Sequence, residues 1–212
     1  LTTRRQRQMC IRDRFWTAEL NENIERLQKE AYLIRENDKD GVIKSNSGFQ
    51  GYHSKDIRDL NNLPGTNQLL KQIINAVNAI HQISRKGELQ LTNFWINISG
   101  KGSSNTPHTH SGLNYSGVFF IKVPKEMKGG RFLFYRNFNE ADFISTEYMG
   151  HFKEGYQMQG YDYPINTISP KENMLVVFPA WVPHAVEINL SDEERISLSF
   201  NFKLNRNFSR VK

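Results

Sequence analysis

His108 and His110 stand one residue apart in the stretch NTPHTHSGLNYSGVFF, residues 105–120. In an extended segment, side chains at i and i+2 project to the same face, so imidazoles at this spacing can grip one ion together. Alone the pair is a weak signal, since a polar loop with surface histidines carries the same pattern. A third histidine, His184, opens the run HAVEINL after the turn FPAWVP, and Arg195 follows at the head of RISLSFNFKL. The strands led by His184 and Arg195 are expected to pair antiparallel, carrying a cation deep into the fold beside a metal. A buried guanidinium requires an anion. Its own strand supplies none, so a bound carboxylate held in a bidentate fork is the natural partner, and Ser197, facing the same way, can add its hydroxyl. The competing reading is a surface Arg195 paired with Glu193 or Glu194.

The remaining candidates weigh less. His81 borders a helical stripe and reads as a partly buried helix residue. His151 falls in a Gly- and Tyr-rich stretch, 145–170, expected to serve as a lid together with GKGSSNTP before the paired histidines. His53 sits in a loop of turn residues and is a minor candidate for approaching a substrate. Trp95 and Asn97 lie on a strand leading toward the histidines; core packing is the expected role for Trp95, while Trp181 either braces His184 or faces a substrate. The chain holds one cysteine, Cys10, so the remainder has no disulfide, cysteine-based zinc site or thiol nucleophile. With no Gly-rich phosphate loop and no Ser-His-Asp spacing either, redox chemistry would have to come from a metal and a cosubstrate.

The elements that must position these residues are of two kinds. Leu20, Ile24, Leu27, Ala31 and Ile34 make one amphipathic stripe, so a helix is expected over residues 16 to about 36 with Thr17 as its N-cap. Residues 37–65 are rich in turn chemistry and read as a long loop or a pair of short strands. Leu69, Leu70, Ile73, Ile74, Val77 and Ile80 mark a second helix from Thr66. After Gly87 every apolar run is strand-length: LQLTNFWINI, YSGVFFIKV, GRFLFY, NMLVVFP, HAVEINL and RISLSFNFKL. Six strands without an intervening helix cannot build a parallel sheet, because each parallel crossover needs a dozen or more residues. The expected fold is mainly β with N-terminal helices, an antiparallel barrel-like jelly roll.

The 212 residues carry a net charge of +6, but residues 1–14 hold five arginines against Asp13, which is +4 and leaves +2 for the rest. The basicity is mostly a tail. It has no apolar period, and Met9–Asp13 matches translated transposon-end adapter codons, so it is expected to be non-native; a short basic arm for nucleic acid is the alternative, and nucleic acid is otherwise not an expected partner. No apolar run approaches the roughly 20 residues of a membrane helix. The expected organisation is a tail over 1–14, a helical and loop region over 15–90 packed on the barrel, a core over 91–205 and a tail over 206–212.

The segments KSNSGFQGYHSKD, FWINISGKGSSNTPHTHSGLNYSGVFFIKVP, GGRFLFY, LVVFPAWVPHAVEIN and RISLSFNF, in this order from about residue 42 to 203, resemble the 2-oxoglutarate and iron(II)-dependent oxygenases of bacteria and marine phages, related to the prolyl hydroxylases. The resemblance implies a double-stranded β-helix (a jelly roll), an iron(II) site at its mouth, 2-oxoglutarate as cosubstrate and molecular oxygen as co-reactant. It implies a hydroxylase type of dioxygenase that releases succinate and CO2 while oxidising an unidentified small-molecule or peptidyl substrate, located in the cytoplasm, of an infected host if phage-borne. Carried over by position, His108 is the first iron ligand, His184 the distal histidine, and Arg195 with Ser197 the anchor of the cosubstrate's far carboxylate; Asn97, from its place on the strand leading into the site, is expected to border the cosubstrate. One position departs from the wider pattern, His-x-Asp or His-x-Glu, because His110 stands where a carboxylate is common. A three-histidine site, preferred here, competes with a carboxylate supplied from elsewhere and with two histidines and an open position. Outside this class, a cupin-like metal protein of non-oxidative or purely binding role and a capsid or tail jelly roll are the alternatives. A buried Arg195 separates the oxygenase from the first, metal content from the second.

Overall fold

The computed structural model describes residues 15–38, 51–83, 87–135 and 165–205. Residues 1–14 with Cys10, His151, most of the expected lid and the C-terminal tail lie outside the described residues.

The chain begins with a strand, not the expected helix: β1, Trp16–Glu19, pairs antiparallel with the strand Met174–Pro179. Thr17 is therefore a strand residue opposite Val176. The helix was expected to start eight residues too early, at residue 16, because Leu20 shares the spacing of the stripe although the cap follows it. Helix α1, Ile24–Asn37, starts at Asn23, whose side-chain oxygen accepts the Arg26 N–H at 3.0 Å. Leu27, Ala31 and Ile34 form its buried face. After β2, Gly51–His53, helix α2, Pro64–Gln82, has no capping side chain at Leu63. Instead Glu30, reaching from α1, accepts the N–H groups of Gly65 and Thr66 and the Thr66 hydroxyl, each at 2.7 Å. A carboxylate at a helix N-terminus satisfies orphan donors and complements the dipole.

Eight strands follow: β3 Leu89–Ser99, β4 Asn105–His108, β5 Tyr115–Lys122, β6 Phe132–Tyr135, β7 Ile165–Ile168, β8 Met174–Pro179, β9 His184–Val186 and β10 Arg195–Leu204. They divide between two antiparallel sheets, β1-β8-β5-β10-β3-β2 and β4-β9-β6-β7. Without the edge strands β1 and β2, each sheet has four strands, the double-stranded β-helix expected from the sequence. The expected pairing of the His184 and Arg195 strands does not occur. β9 pairs with β4 and β6, whereas β10 lies between β3 and β5 in the facing sheet. His184 and Arg195 therefore reach one interior from opposite walls.

Alternation sorts the central strands. Phe119, Ile121, Leu175, Val177, Ile196 and Leu198 pack under the two helices, while Val118, Phe120, Val176 and Phe178 meet Phe132, Phe134 and Ile168 of the smaller sheet. The second of these clusters closes the interior between the sheets. Beside it, the inner face of β10 turns polar, with Arg195, Ser197, Ser199 and Asn201 at alternate positions.

Candidate active site

Arg195, Ser197 and Ser199 of the polar stripe and the three histidines line a cavity of about 310 Å³. Strand pairing places two of the histidines: His108 and His184 are direct register partners on β4 and β9. His110, just beyond β4, is held by its backbone N–H, which donates to the Ala180 carbonyl at 2.9 Å. The ligand-type nitrogens of the three rings lie within 4.8 Å of one another.

Backbone carbonyls orient two of the rings. Nδ1–H of His108 donates to the Thr106 carbonyl at 2.7 Å, and Nδ1–H of His184 donates to the Val182 carbonyl at 2.9 Å. A carbonyl can only accept, so each neutral ring keeps its Nε2 lone pair for the interior, the usual arrangement behind a metal-binding imidazole. His184 is further wedged between Phe132 and Phe178, with ring centroids 5.5 and 4.6 Å away. Burial, and then the charge His108 would carry, pulls the His184 ring down to about 3 and the His110 ring to about 4. Both are neutral near pH 7, the state a metal needs.

The spacing of two of the donors fits an ion. His110 Nε2 and His184 Nε2 are 3.2 Å apart. Two nitrogens each about 2.1 Å from one divalent cation, at right angles, would be about 3.0 Å apart. An all-imidazole set suits iron, nickel, copper or zinc and not the oxygen-seeking magnesium or calcium. Among the described residues no Asp or Glu lines the cavity, so none of them places a carboxylate beside the histidines.

Arg195 stands at the other wall, 5% exposed. Its Nη1 donates to the Gly130 carbonyl at 2.8 Å, its Nε has no partner, and its guanidinium lies 5.9 Å from the Phe120 ring centre. Among the described residues no carboxylate pairs with it; Glu194 is engaged by Arg35 at 2.9 Å and by the Tyr32 hydroxyl. Burial alone pulls its pKa down to about 10. Burying a cation with an orphaned donor is costly, and an anion in the adjoining cavity would offset that cost. Ser197 and Asn97 are register partners on β10 and β3, and both line the cavity.

Other expectations fare unevenly. Trp95 lines the cavity instead of joining the core, and His53, a minor candidate by sequence, stacks on it at 5.3 Å and 11°. The signal was available: β2 pairs with β3, placing His53 beside Asn97, but a three-residue strand inside a turn-rich stretch carries too little periodicity to announce itself. Trp181 is 59% exposed and not among the cavity-lining residues. His81 is buried on α2, with its ring edge-on to Tyr115. Part of the GKGSSNTP stretch is a fixed wall rather than a lid, because Gly102 N–H donates to the Asn189 carbonyl and Asn189 N–H to the Ser103 carbonyl.

Comparison with known proteins agrees with this geometry. A family model described as "Putative 2OG-Fe(II) oxygenase" matches residues 93–201. No curated protein matches the sequence. Among solved structures, a Pseudomonas putida prolyl-4-hydroxylase superposes with a TM-score of 0.60 at 16% identity, covering 91% of this chain and 94% of that one. A viral collagen prolyl hydroxylase from Paramecium Bursaria Chlorella virus-1, solved as a 2OG complex, gives 0.60 at 10% identity, with 93% and 99% covered. HygX from Streptomyces hygroscopicus, solved with nickel, 2-oxoglutarate and hygromycin B, gives 0.59 at 12% identity, with 97% and 88% covered.

Proposed function

Because the chain belongs to the 2OG-Fe(II) oxygenase family, we propose that it hydroxylates an aliphatic carbon of its substrate, consuming 2-oxoglutarate and oxygen and releasing succinate and CO2. The observation that carries the reading is Arg195, a buried guanidinium without a carboxylate partner among the described residues, facing the histidine cluster across one cavity.

His108, His110 and His184 would hold the iron through their inward nitrogens. Arg195 would bind the far carboxylate of 2-oxoglutarate, with the hydroxyl of Ser197 beside it and Asn97 bordering the same place. When bound, iron and 2-oxoglutarate would activate molecular oxygen for hydroxylation of the substrate carbon. The chain's own residues do the rest. The Thr106 and Val182 carbonyls fix the His108 and His184 tautomers, the Phe132 and Phe178 rings keep His184 from swinging, and the apolar floor restricts water. Three neutral ligands leave the ion its full charge, where the commoner set would remove one unit, and that favours retention of a dianionic cosubstrate. Arg195 also argues against the cupin-like alternative, since a site that binds a neutral ligand has no use for a buried, unneutralised cation.

The test is metal content. The wild-type protein, loaded without oxygen, is expected to hold one iron(II) per chain, and His108→Ala or His184→Ala to lose it. Full occupancy in both variants would overturn the assignment. His110→Asp separates the competing readings: changed metal affinity with activity retained or increased supports His110 as a ligand, and unchanged affinity places it outside the ligand set.

A further inference from the structure

The part of the cavity beside the histidines is lined by groups whose hydrogen-bonding direction is already fixed. His53 Nδ1–H donates to the Ser54 carbonyl at 2.8 Å, so its Nε2 can only accept while the ring is neutral. Burial lowers the pKa of this ring and keeps it so. Ser116 is fixed from farther away. Its hydroxyl donates to Asn201 Oδ1 at 2.7 Å, the Asn201 amide donates to Asn93 Oδ1 at 3.0 Å, and the Asn93 amide donates to Asp56 Oδ1 at 3.1 Å. Ser116, Asn201 and Asn93 are register partners across β5, β10 and β3. The order is not arbitrary. Asp56, as a carboxylate, can only accept, which sets Asn93, then Asn201, then Ser116, and leaves the Ser116 oxygen with lone pairs alone to offer a ligand. Between the two lies Trp95, stacked on His53 and 6.3 Å from the ring of His110.

We propose that His53, Trp95 and Ser116 form a subsite for a neutral, hydroxylated, saturated ring, a sugar or cyclitol, whose hydroxyl groups donate to the fixed acceptors. The inference rests on the oxygenase reading for one point: the reacting carbon must be aliphatic, and a nucleobase ring without an alkyl substituent offers none. Charge gives the second constraint. Arg195 is the only charged side chain among the described residues lining the cavity, so a divalent ion would make the site more positive and repel an ammonium or guanidinium group. Acceptors without negative charge select neutral donors, and hydroxyls are the neutral donors a saturated ring carries. The face of an indole suits the C–H face of such a ring. The cavity, at about 310 Å³, sits at the lower end of the roughly 300–1,000 Å³ of ligand sites, and with the cosubstrate in place it seats a ring-sized group rather than a long chain.

Saturation-transfer NMR tests this without turnover. The full chain, loaded with redox-inert zinc(II) and 2-oxoglutarate, is mixed with the methyl pyranosides of glucose, galactose and mannose, myo-inositol, N-acetylprolinamide, 1-methyluracil and spermidine. Transfer is expected to at least one glycoside or to inositol, and none to spermidine. His53→Phe, which keeps a stacked ring but removes the acceptor, should weaken that binding about tenfold, as expected for one lost hydrogen bond, while His53→Gln, which restores an acceptor, recovers part of it. The inference is overturned if the glycosides and inositol stay silent, if prolinamide or 1-methyluracil takes the transfer instead, or if His53→Phe binds as well as wild type. Zinc content is measured separately. A protein that binds glycoside without retaining zinc contradicts the metal assignment alone, and one that retains zinc and ignores every hydroxylated ring contradicts this inference alone.

Discussion

Replacing Arg195 by Met should make the ligand-free protein more stable and the cosubstrate complex much weaker. Methionine keeps an apolar, unbranched side chain and removes a charge whose burial is uncompensated. The guanidinium's pKa of about 10, well below its ordinary value, corresponds to a burial cost on the order of 3 kcal/mol. Losing the hydrogen bond to the Gly130 carbonyl returns about 1 kcal/mol of that. The net gain is about 2 kcal/mol, or roughly 4–8 °C in Tm for a chain of this size. Binding moves the other way. Removing one partner of a buried charge pair costs about 2–5 kcal/mol, so 2-oxoglutarate affinity should fall by between about thirtyfold and several thousandfold. Thermal melts of zinc-loaded wild type and variant, with and without 2-oxoglutarate, read both effects. Ligand at a hundred times its dissociation constant should stabilise wild type by about 2.7 kcal/mol, and at the same concentration give at most a small shift in the variant. A variant that melts lower than wild type while keeping its ligand-induced shift would refute the reasoning, because Arg195 would then be a structural cation with a partner.

The pulled-down pKa values of His184 and His110 make the metal-free fold sensitive to acid. Unfolded imidazoles take up protons below about 6.5 and the folded ones only near 3 to 4, so stability is full above pH 6.5 and falls by about 1.4 kcal/mol per pH unit for each ring as pH drops toward 4; a flat Tm between pH 6.5 and 5 would contradict this. Ser197→Ala is expected to weaken 2-oxoglutarate by about 1 kcal/mol in a calorimetric titration, with metal content unchanged. Glu30→Ala strands the buried Gly65 and Thr66 N–H groups and should cost about 2–4 kcal/mol in denaturant unfolding. Gly117→Ala places a Cβ 2.3 Å from Phe200 Cζ and 2.6 Å from the Val176 carbonyl oxygen; an overpacked sheet centre should lose on the order of 1–3 kcal/mol.

The histidines and Arg195 were legible because their chemistry is local: an i, i+2 pair, a histidine opening a strand, and an arginine whose strand offers no counterion. All six strand-length runs became strands, since each alternates or stays apolar over enough residues to show its period. Sheet membership was not legible. Chain neighbours usually pair, but here β9 and β10 part into opposite sheets, and only closure of the whole sandwich decides that. β1 was hidden because Leu20 continues the spacing of α1 by coincidence. The roles of His53 and Trp95 depend on a pairing between residues far apart in sequence, as does the Glu30 cap on α2. No window of the chain contains either.

The central claim is tested most directly by adding 2-oxoglutarate to the iron(II)-loaded protein without oxygen, recording the visible spectrum, and then admitting oxygen and assaying succinate. A weak charge-transfer band on addition, succinate after oxygen, and loss of both in His184→Ala are the expected results. A wild-type protein that holds iron and gives neither the band nor succinate would contradict the account.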